Sequence, residues 1–170
     1  MQVTKLKQGF TLLELIVVLA LIAILASIAI AQYKNFQLRA KTSEAKANLG
    51  ALRRCELSYA AETGKLLTAA YYPGKAGPSK QVWNQASSGN FDKLGFDPVG
   101  KVYYDYGIAQ GDHTSDPASA TPSNNEIPNT NGAIDITIIA RGDLDGNGQY
   151  AYYCTCEERR IIIGPKGDRF

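Results

Sequence analysis

The sequence is poor in the residues that most enzyme and metal sites require. It has one histidine and three cysteines in 170 residues. The histidine, His113, lies in a polar segment beside Asp112, with no second histidine to share a metal ion. We find no nucleophile paired with a base, no phosphate-binding loop and no convincing set of three metal ligands. The sequence therefore predicts a protein that is not an enzyme.

The chain also lacks a strong net charge. It has 18 Lys and Arg against 16 Asp and Glu, a formal net charge of +2. Loss of residues 1–9, which hold Lys5 and Lys7 but no acid, would leave the two signs equal in number. A near-neutral subunit suits dense packing against itself and gives no reason to expect a specific nucleic-acid site.

What the chain does have is one long apolar run near its N-terminus. From Phe10 to Ala31, only Thr11, Glu14 and Ser27 interrupt Phe, Leu, Ile, Val and Ala. A helix of about 22 residues is roughly 33 Å long, enough to cross the hydrocarbon core of a bilayer. A secretory signal peptide would be shorter, with a small-residue cleavage site at its far end. We therefore predict a membrane-inserted helix, whose N-terminus stays cytoplasmic because lysines precede it.

Glu14 is the carboxylate inside this run. Inserting such a charge costs roughly 3 kcal/mol, so it usually has a partner. One interpretation is a residue near the helix N-terminus that favours the helix dipole and reaches the lipid headgroups. The other starts from cleavage between Gly9 and Phe10, which would create an α-amino group four residues before Glu14. That pair could meet within one helix, or set the register between two helices.

The sequence GFTLLEL at residues 9–15, with the apolar run behind it, resembles the class III signal of type IV prepilins and the related pseudopilins. The resemblance implies that a membrane-embedded prepilin peptidase cuts after Gly9 and methylates the new amino group of Phe10. It also implies that Glu14 guides docking into a growing filament whose core is a bundle of these helices. The motif is highly specific. With the helix behind it, it covers roughly the first third of the chain.

Two positions depart from the family pattern. Family members usually have a proline near Ala31 and often a glycine near Ala23, which let the membrane helix kink or locally melt in a filament. Alanine is the best helix former, so we expect a more continuous helix here.

The resemblance implies the α+β type IV pilin fold, in which a long N-terminal helix packs on a small antiparallel sheet. We divide the chain into a cleaved leader (1–9), a transmembrane assembly half of the helix (10–31), an amphipathic half (32–63) and a globular head (64–170). Apolar residues at three-, four- and seven-residue spacings support the amphipathic half, and Gly64 can end the helix.

The head is expected to hold a sheet of three or four strands. Alternation at 134–138 and the aromatic or branched residues at 102–108, 149–156 and 159–163 favour strands. Residues 66–100 are expected to form a loop-rich connection, and the polar residues 109–132 an exposed loop.

Asp143, Asp145 and Asn147 place oxygen atoms at alternate positions before Gly148, as the opening of a calcium loop does. The acid that closes such a loop is absent, because Cys154 stands at its position. Asp-Gly and Asn-Gly between two strands also predict a plain hairpin, which is the interpretation we favour. Calcium stays the alternative, since the resemblance extends to major pseudopilins that carry a stabilising ion in a comparable late loop.

The three cysteines are Cys55, Cys154 and Cys156. A head outside the cytoplasmic membrane lies where disulfides can form. A bridge from Cys55 to either of the other two would link helix to sheet, and the sequence leaves the partner open. Family members commonly bridge two cysteines nearer the C-terminus, so this pattern differs. A structural zinc is disfavoured, since no histidine lies near the thiols.

The resemblance implies a structural subunit of a type IV pilus that serves adhesion, twitching motility or DNA uptake. Its partners would be further copies of itself, the prepilin peptidase, an assembly platform in the inner membrane, and the membrane before assembly. The alternatives are the major pseudopilin of a type II secretion system and, more distantly, a monomeric membrane-anchored binding domain. The precursor would lie in the inner membrane, and the product in an extracellular pilus or a periplasmic pseudopilus.

Overall fold

A computed structural model of the chain describes residues 9–130, 133–158 and 162–167. The chain divides into two compact units between Gln37 and Leu38. One helix, α1 (Leu12–Thr63), begins in the first unit and ends in the second. Of the predicted leader, only Gly9 belongs to the described residues.

Helix α1 is unbroken because its sequence offers nothing to break it. No proline occurs within it, and the first glycine after Leu12 is Gly50. Ala23 and Ala31 lie inside regular helix, as their high helix propensity predicts. The helix ends where Gly64 adopts a φ of 71° and its N–H donates to the Ala60 carbonyl oxygen at 2.8 Å. This is a left-handed glycine cap.

The second unit contains short strands and a second helix. Among the described residues the strands are β1 (Lys65–Leu67), β2 (Ala69–Tyr72), β3 (Gln81–Val82), β4 (Lys101–Val102), β5 (Asp105–Gln110), β6 (Glu126–Pro128), β7 (Ile136–Gly142), β8 (Ala151–Cys156) and β9 (Ile163–Gly167). Helix α2 (Asn90–Lys93) and two single turns of 3-10 helix, Gln85–Ser87 and Pro117–Ser119, lie between them. The main sheet has the order β2-β5-β7-β8-β9, with every neighbouring pair antiparallel. The other four strands form two ribbons, β1–β6 and β3–β4. The predicted α+β class, with a long helix on a small antiparallel sheet, is confirmed.

The main sheet separates two apolar clusters, because successive side chains of a strand point to opposite faces. The larger cluster joins one face of β5, β7 and β8 to fully buried residues of α1, Ala45, Leu49 and Leu52. The smaller one lies on the other face and contains Ala109, Ala120, Ile139 and Cys154.

Two segments of the head hold more regular structure than expected. Residues 66–100 are rich in loops, as predicted, but also contain the strand Ala69–Tyr72. An aromatic group packs there around Trp83, whose ring meets Tyr72 and Phe96 edge to face. Residues 109–132 contain β6, whose Ile127 is buried opposite Leu66. Such short strands pair with partners far along the chain, so local periodicity does not reveal them.

The strand count was also too low. The described main sheet has five strands instead of three or four. The strand expected at 159–163 falls mostly outside the described residues, since residues 159–161 are not described. The last described strand begins at Ile163.

Candidate functional site

The N-terminal motif lies at the start of α1. Gly9, Phe10 and Thr11 precede the helix, which begins at Leu12. The Thr11 hydroxyl Oγ1 accepts a hydrogen bond from the Glu14 backbone N–H at 3.2 Å. The Thr11 carbonyl oxygen accepts one from the Leu15 N–H, also at 3.2 Å. These two bonds define Thr11 as the N-cap and Glu14 as the third residue of the helix.

The sequence interpretation of Glu14 overlooked Thr11, although a signal for it was present. Thr-Leu-Leu-Glu at residues 11–14 has the Ser/Thr-x-x-Glu spacing of a capping box. In that motif the threonine side chain satisfies the N–H of the third helical residue, as it does here. The N-cap Thr11, three residues earlier, thus fixes the position of Glu14 in the first turn.

Gly9 and Phe10 are open to the surroundings. The Phe10 side chain is 74% exposed. A Cβ built onto Gly9 would meet no atom of the described residues within 4 Å. The packing of residues 9–130 therefore gives no reason for a glycine at this position.

The first unit presents apolar side chains on all sides. The large apolar residues from Leu12 to Ile30 are exposed, and Leu13 and Leu25 keep 76% and 67% of their accessible surface. The helix is long and apolar enough to cross a membrane, and its most apolar window has no residue buried inside the chain. A helix that is apolar all round needs lipid or other helices as surroundings.

The structure does not bring Cys55 and Cys154 together. Cys55 lies at the edge of the larger cluster, on the helix side of the sheet, whereas Cys154 belongs to the smaller cluster on the other face. Cys156 is two residues further along the same strand, and its carbonyl oxygen accepts a hydrogen bond from Arg53 Nε at 3.0 Å. Burial raises the pKa of the Cys154 thiol to about 11. A Cys55–Cys154 bridge would have to cross the sheet, and disulfide pairing stays a prediction.

The acidic segment at 143–148 connects the antiparallel neighbours β7 and β8. Its side-chain oxygens accept hydrogen bonds from the backbone of the loop. Asp143 Oδ1 accepts from the N–H groups of Gly146 and Asn147 at 2.8 and 3.0 Å, and Oδ2 from that of Gly148 at 3.0 Å. Asn147 Oδ1 accepts from the Gln149 N–H at 2.7 Å, and Asp145 Oδ1 from the Asn147 N–H at 3.3 Å.

This network holds the loop in place by itself, as the hairpin interpretation requires. Within the described part of the chain, no group of three His, Cys, Asp or Glu residues is arranged to hold a metal ion. The calcium interpretation of Asp143, Asp145 and Asn147 stays a prediction.

Comparison with known proteins finds similarity over part of the chain. The family model described as the prokaryotic N-terminal methylation motif matches residues 4–30. The type IV major pilin protein PilA of Myxococcus xanthus is 53% identical over 55 residues, which cover 32% of this chain and 25% of that protein. The type IV major fimbrial protein FimA of Dichelobacter nodosus is 48% identical over 48 residues, 28% of this chain and 31% of that protein.

A fimbrial protein of Pseudomonas aeruginosa is 38% identical over 66 residues, which cover 39% of this chain and 43% of that protein. The chain thus spans between a quarter and less than half of the length of these curated relatives. No solved structure matches the chain.

Proposed function

We propose that this chain is a structural subunit of a type IV pilus, because it matches the N-terminal methylation motif, is similar to a type IV major pilin and has a helix long and apolar enough to cross a membrane. One observation carries the proposal above the others. The residues that follow the motif form a helix whose apolar side chains remain exposed on every side. Such a surface suits a subunit that is stored in a membrane and then buried among copies of the same helix.

Processing would begin at the exposed junction in front of the helix. Hydrolysis of the Gly9–Phe10 bond would leave Phe10 with a free amino group, which the peptidase would then methylate. Glu14 lies four residues further on, about 6 Å along a helix. A neighbouring copy shifted by that distance would place its Phe10 amine beside this carboxylate, where two opposite charges in an apolar medium attract strongly.

The proposed partners are therefore further copies of the chain, a prepilin peptidase and an assembly platform in the inner membrane. The precursor would be held in that membrane, and the product would leave it as an extracellular filament. Adhesion, twitching motility and DNA uptake are the activities that such a filament would serve.

The major pseudopilin of a type II secretion system is the second candidate, because it would use the same N-terminal segment. The feature that favours it is the acidic loop of Asp143, Asp145 and Asn147. The side-chain oxygens of that loop already accept hydrogen bonds from backbone N–H groups of the same loop. This arrangement also fits a plain hairpin without calcium.

Both candidate functions require leader cleavage and methylation. The intact mass of the protein recovered from membranes and filaments tests this shared processing. We expect a chain that begins at Phe10 and carries one added methyl group. A matched Gly9→Ala variant should fold equally well, because an added Cβ meets no atom of the described residues within 4 Å, and should retain Met1. Wild-type protein that keeps its leader would contradict the proposal and favour a monomeric membrane-anchored binding domain.

A further inference from the structure

We propose that Thr11 is a positioning residue for leader cleavage, which keeps the Gly9–Phe10 bond outside the helix by fixing where α1 begins. The inference rests on the proposed function, since it concerns the removal of the leader. Thr11 would act through the conformation of the preceding residues, without taking part in the chemistry.

The two hydrogen bonds of Thr11 are those of an N-cap. Its hydroxyl accepts from the Glu14 N–H and its carbonyl oxygen from the Leu15 N–H, each at 3.2 Å. The carbonyl that opens the helical ladder is therefore that of Thr11. The Gly9 carbonyl lies two residues earlier, before the start of the helix.

Cleavage needs that Gly9 carbonyl. Hydrolysis adds the hydroxyl of water to the carbonyl carbon of Gly9 and a proton to the nitrogen of Phe10, and the C–N bond between them breaks. The products are a carboxylate on the leader and an amine on the mature chain. A carbonyl outside the helix can turn toward the catalytic groups of an enzyme, whereas one inside the helix is held by its N–H partner four residues ahead.

Without the Thr11 side chain, the next residue upstream that can cap the helix is Gly9. Glycine ranks close to threonine at the N-cap position, while large apolar residues such as Phe10 rank far below. A helix that begins after Gly9 would place Phe10 in its first turn. The Gly9 carbonyl would then accept the N–H of Leu13, and the bond to be cut would become part of the helix.

Three substitutions separate this role from direct recognition of Thr11 by the peptidase. Thr11→Val keeps the shape of threonine but has no acceptor, so it removes the cap. Thr11→Ser keeps the hydroxyl. Thr11→Asn has neither the hydroxyl nor the methyl group, yet asparagine is among the best N-cap residues.

The experiment follows cleavage of the full-length precursor in membranes that contain prepilin peptidase. Intact mass gives the fraction that begins at Phe10 against the fraction that begins at Met1, over time. Ser27→Ala is the matched control, because it removes a hydroxyl that bonds the Ile24 carbonyl within the helix, away from the cap.

We expect Thr11→Val to be cleaved more slowly than wild type, by at most about fivefold, because loss of a typical N-cap changes the helix-start equilibrium by about that factor. Thr11→Ser, Thr11→Asn and Ser27→Ala should be cleaved at close to the wild-type rate. Cleavage of Thr11→Val at the wild-type rate would overturn the inference. Slow cleavage of Thr11→Asn would overturn it too, since it would mean that the peptidase reads the threonine itself. A wild-type precursor that is not cleaved would instead contradict the proposed function.

Discussion

The carboxyl group of Glu56 accepts a hydrogen bond from the backbone N–H of Leu67 at 3.2 Å, and this contact joins α1 to β1. Glu56 is fully buried, and its other oxygen, Oε1, has no hydrogen-bond partner among the described residues. Burial raises the pKa of Glu56 from its ordinary value of 4.5 to about 8, and the nearby Glu157 carboxyl adds to the rise. The side chain is therefore mostly protonated at neutral pH.

We predict that the free energy of unfolding falls as the pH rises from 4.5 to about 8. In this range the folded chain keeps the proton on Glu56, whereas the unfolded chain releases it, so rising pH favours unfolding. Above the folded-state pKa this contribution is constant. We expect a loss of roughly 5 kcal/mol from Glu56 across the window, at about 1.4 kcal/mol for each unit of pH. Burial also raises the pKa of Glu157, which adds a dependence of the same sign.

Denaturant unfolding at several pH values, followed by the fluorescence of the single buried Trp83, measures this dependence. Glu56→Gln keeps an oxygen for the Leu67 N–H but cannot ionise, so its stability should vary much less with pH. Glu126→Gln is the control. The pKa of the exposed Glu126 is lowered by its hydrogen bond to Lys65, so its effect falls below the window. Equal pH slopes for wild type and Glu56→Gln would contradict the prediction.

Features that depend on a few consecutive residues could be predicted from the sequence. The motif at 9–15 carries its information within seven consecutive residues, and Gly64 marks the end of α1 in the same local way. The alternation at 134–138 predicted a strand, which the structure places at Ile136–Gly142. These signals depend only on neighbours along the chain.

What could not be predicted depends on pairing between distant residues. The ribbon that pairs Leu66 with Ile127 has strands of three residues each, too short to show a period. Cys154 lies on the face of the sheet away from the helix that holds Cys55, and composition does not determine which face a strand residue takes. In the sequence, Glu56 is an acidic residue among apolar residues on one side of α1, and nothing local explains it. The structure shows that it accepts a hydrogen bond from the Leu67 N–H.

Asp105 and Arg141 form another polar contact that the sequence does not reveal, and in it the Asp105 carboxylate is buried. They are directly opposite in the β5–β7 register, and Asp105 Oδ2 accepts from Arg141 Nε and Nη2, both at 3.2 Å. Asp105 Oδ1 accepts from the N–H groups of Gly74 and Lys75 at 2.8 and 3.0 Å. The Arg141 guanidinium also lies 3.9 Å from the centre of the Tyr71 ring.

We predict that Asp105→Ala destabilises the head by about 3 kcal/mol, because it leaves a guanidinium and two backbone N–H groups without their acceptor. Arg141→Ala should cost a similar amount. The double variant should cost less than the sum of the two, since each single change removes the same contact. Denaturant unfolding gives all three values. Strict additivity would show that the pair is not coupled.

The acidic loop gives a prediction about calcium. Asp143 already accepts three backbone N–H groups, so the hairpin interpretation predicts the same melting temperature in excess calcium and in excess EGTA. Thermal unfolding of wild type and Asp145→Asn compares the two conditions. A melting temperature that rises with calcium in wild type but not in Asp145→Asn would instead support the calcium interpretation.

The most direct test of the central claim is electron microscopy of filaments sheared from cells that produce wild-type protein or Glu14→Ala. We predict long filaments from wild type and none from Glu14→Ala, because the carboxylate would hold the amine of a neighbouring subunit during assembly. Glu62→Ala, which removes an exposed carboxylate from the same helix, should still give filaments. Filaments of wild-type number and length from Glu14→Ala would contradict the account. Absence of filaments from wild type, with exported proteins accumulating in the Glu14→Ala cells, would identify a secretion pseudopilin instead.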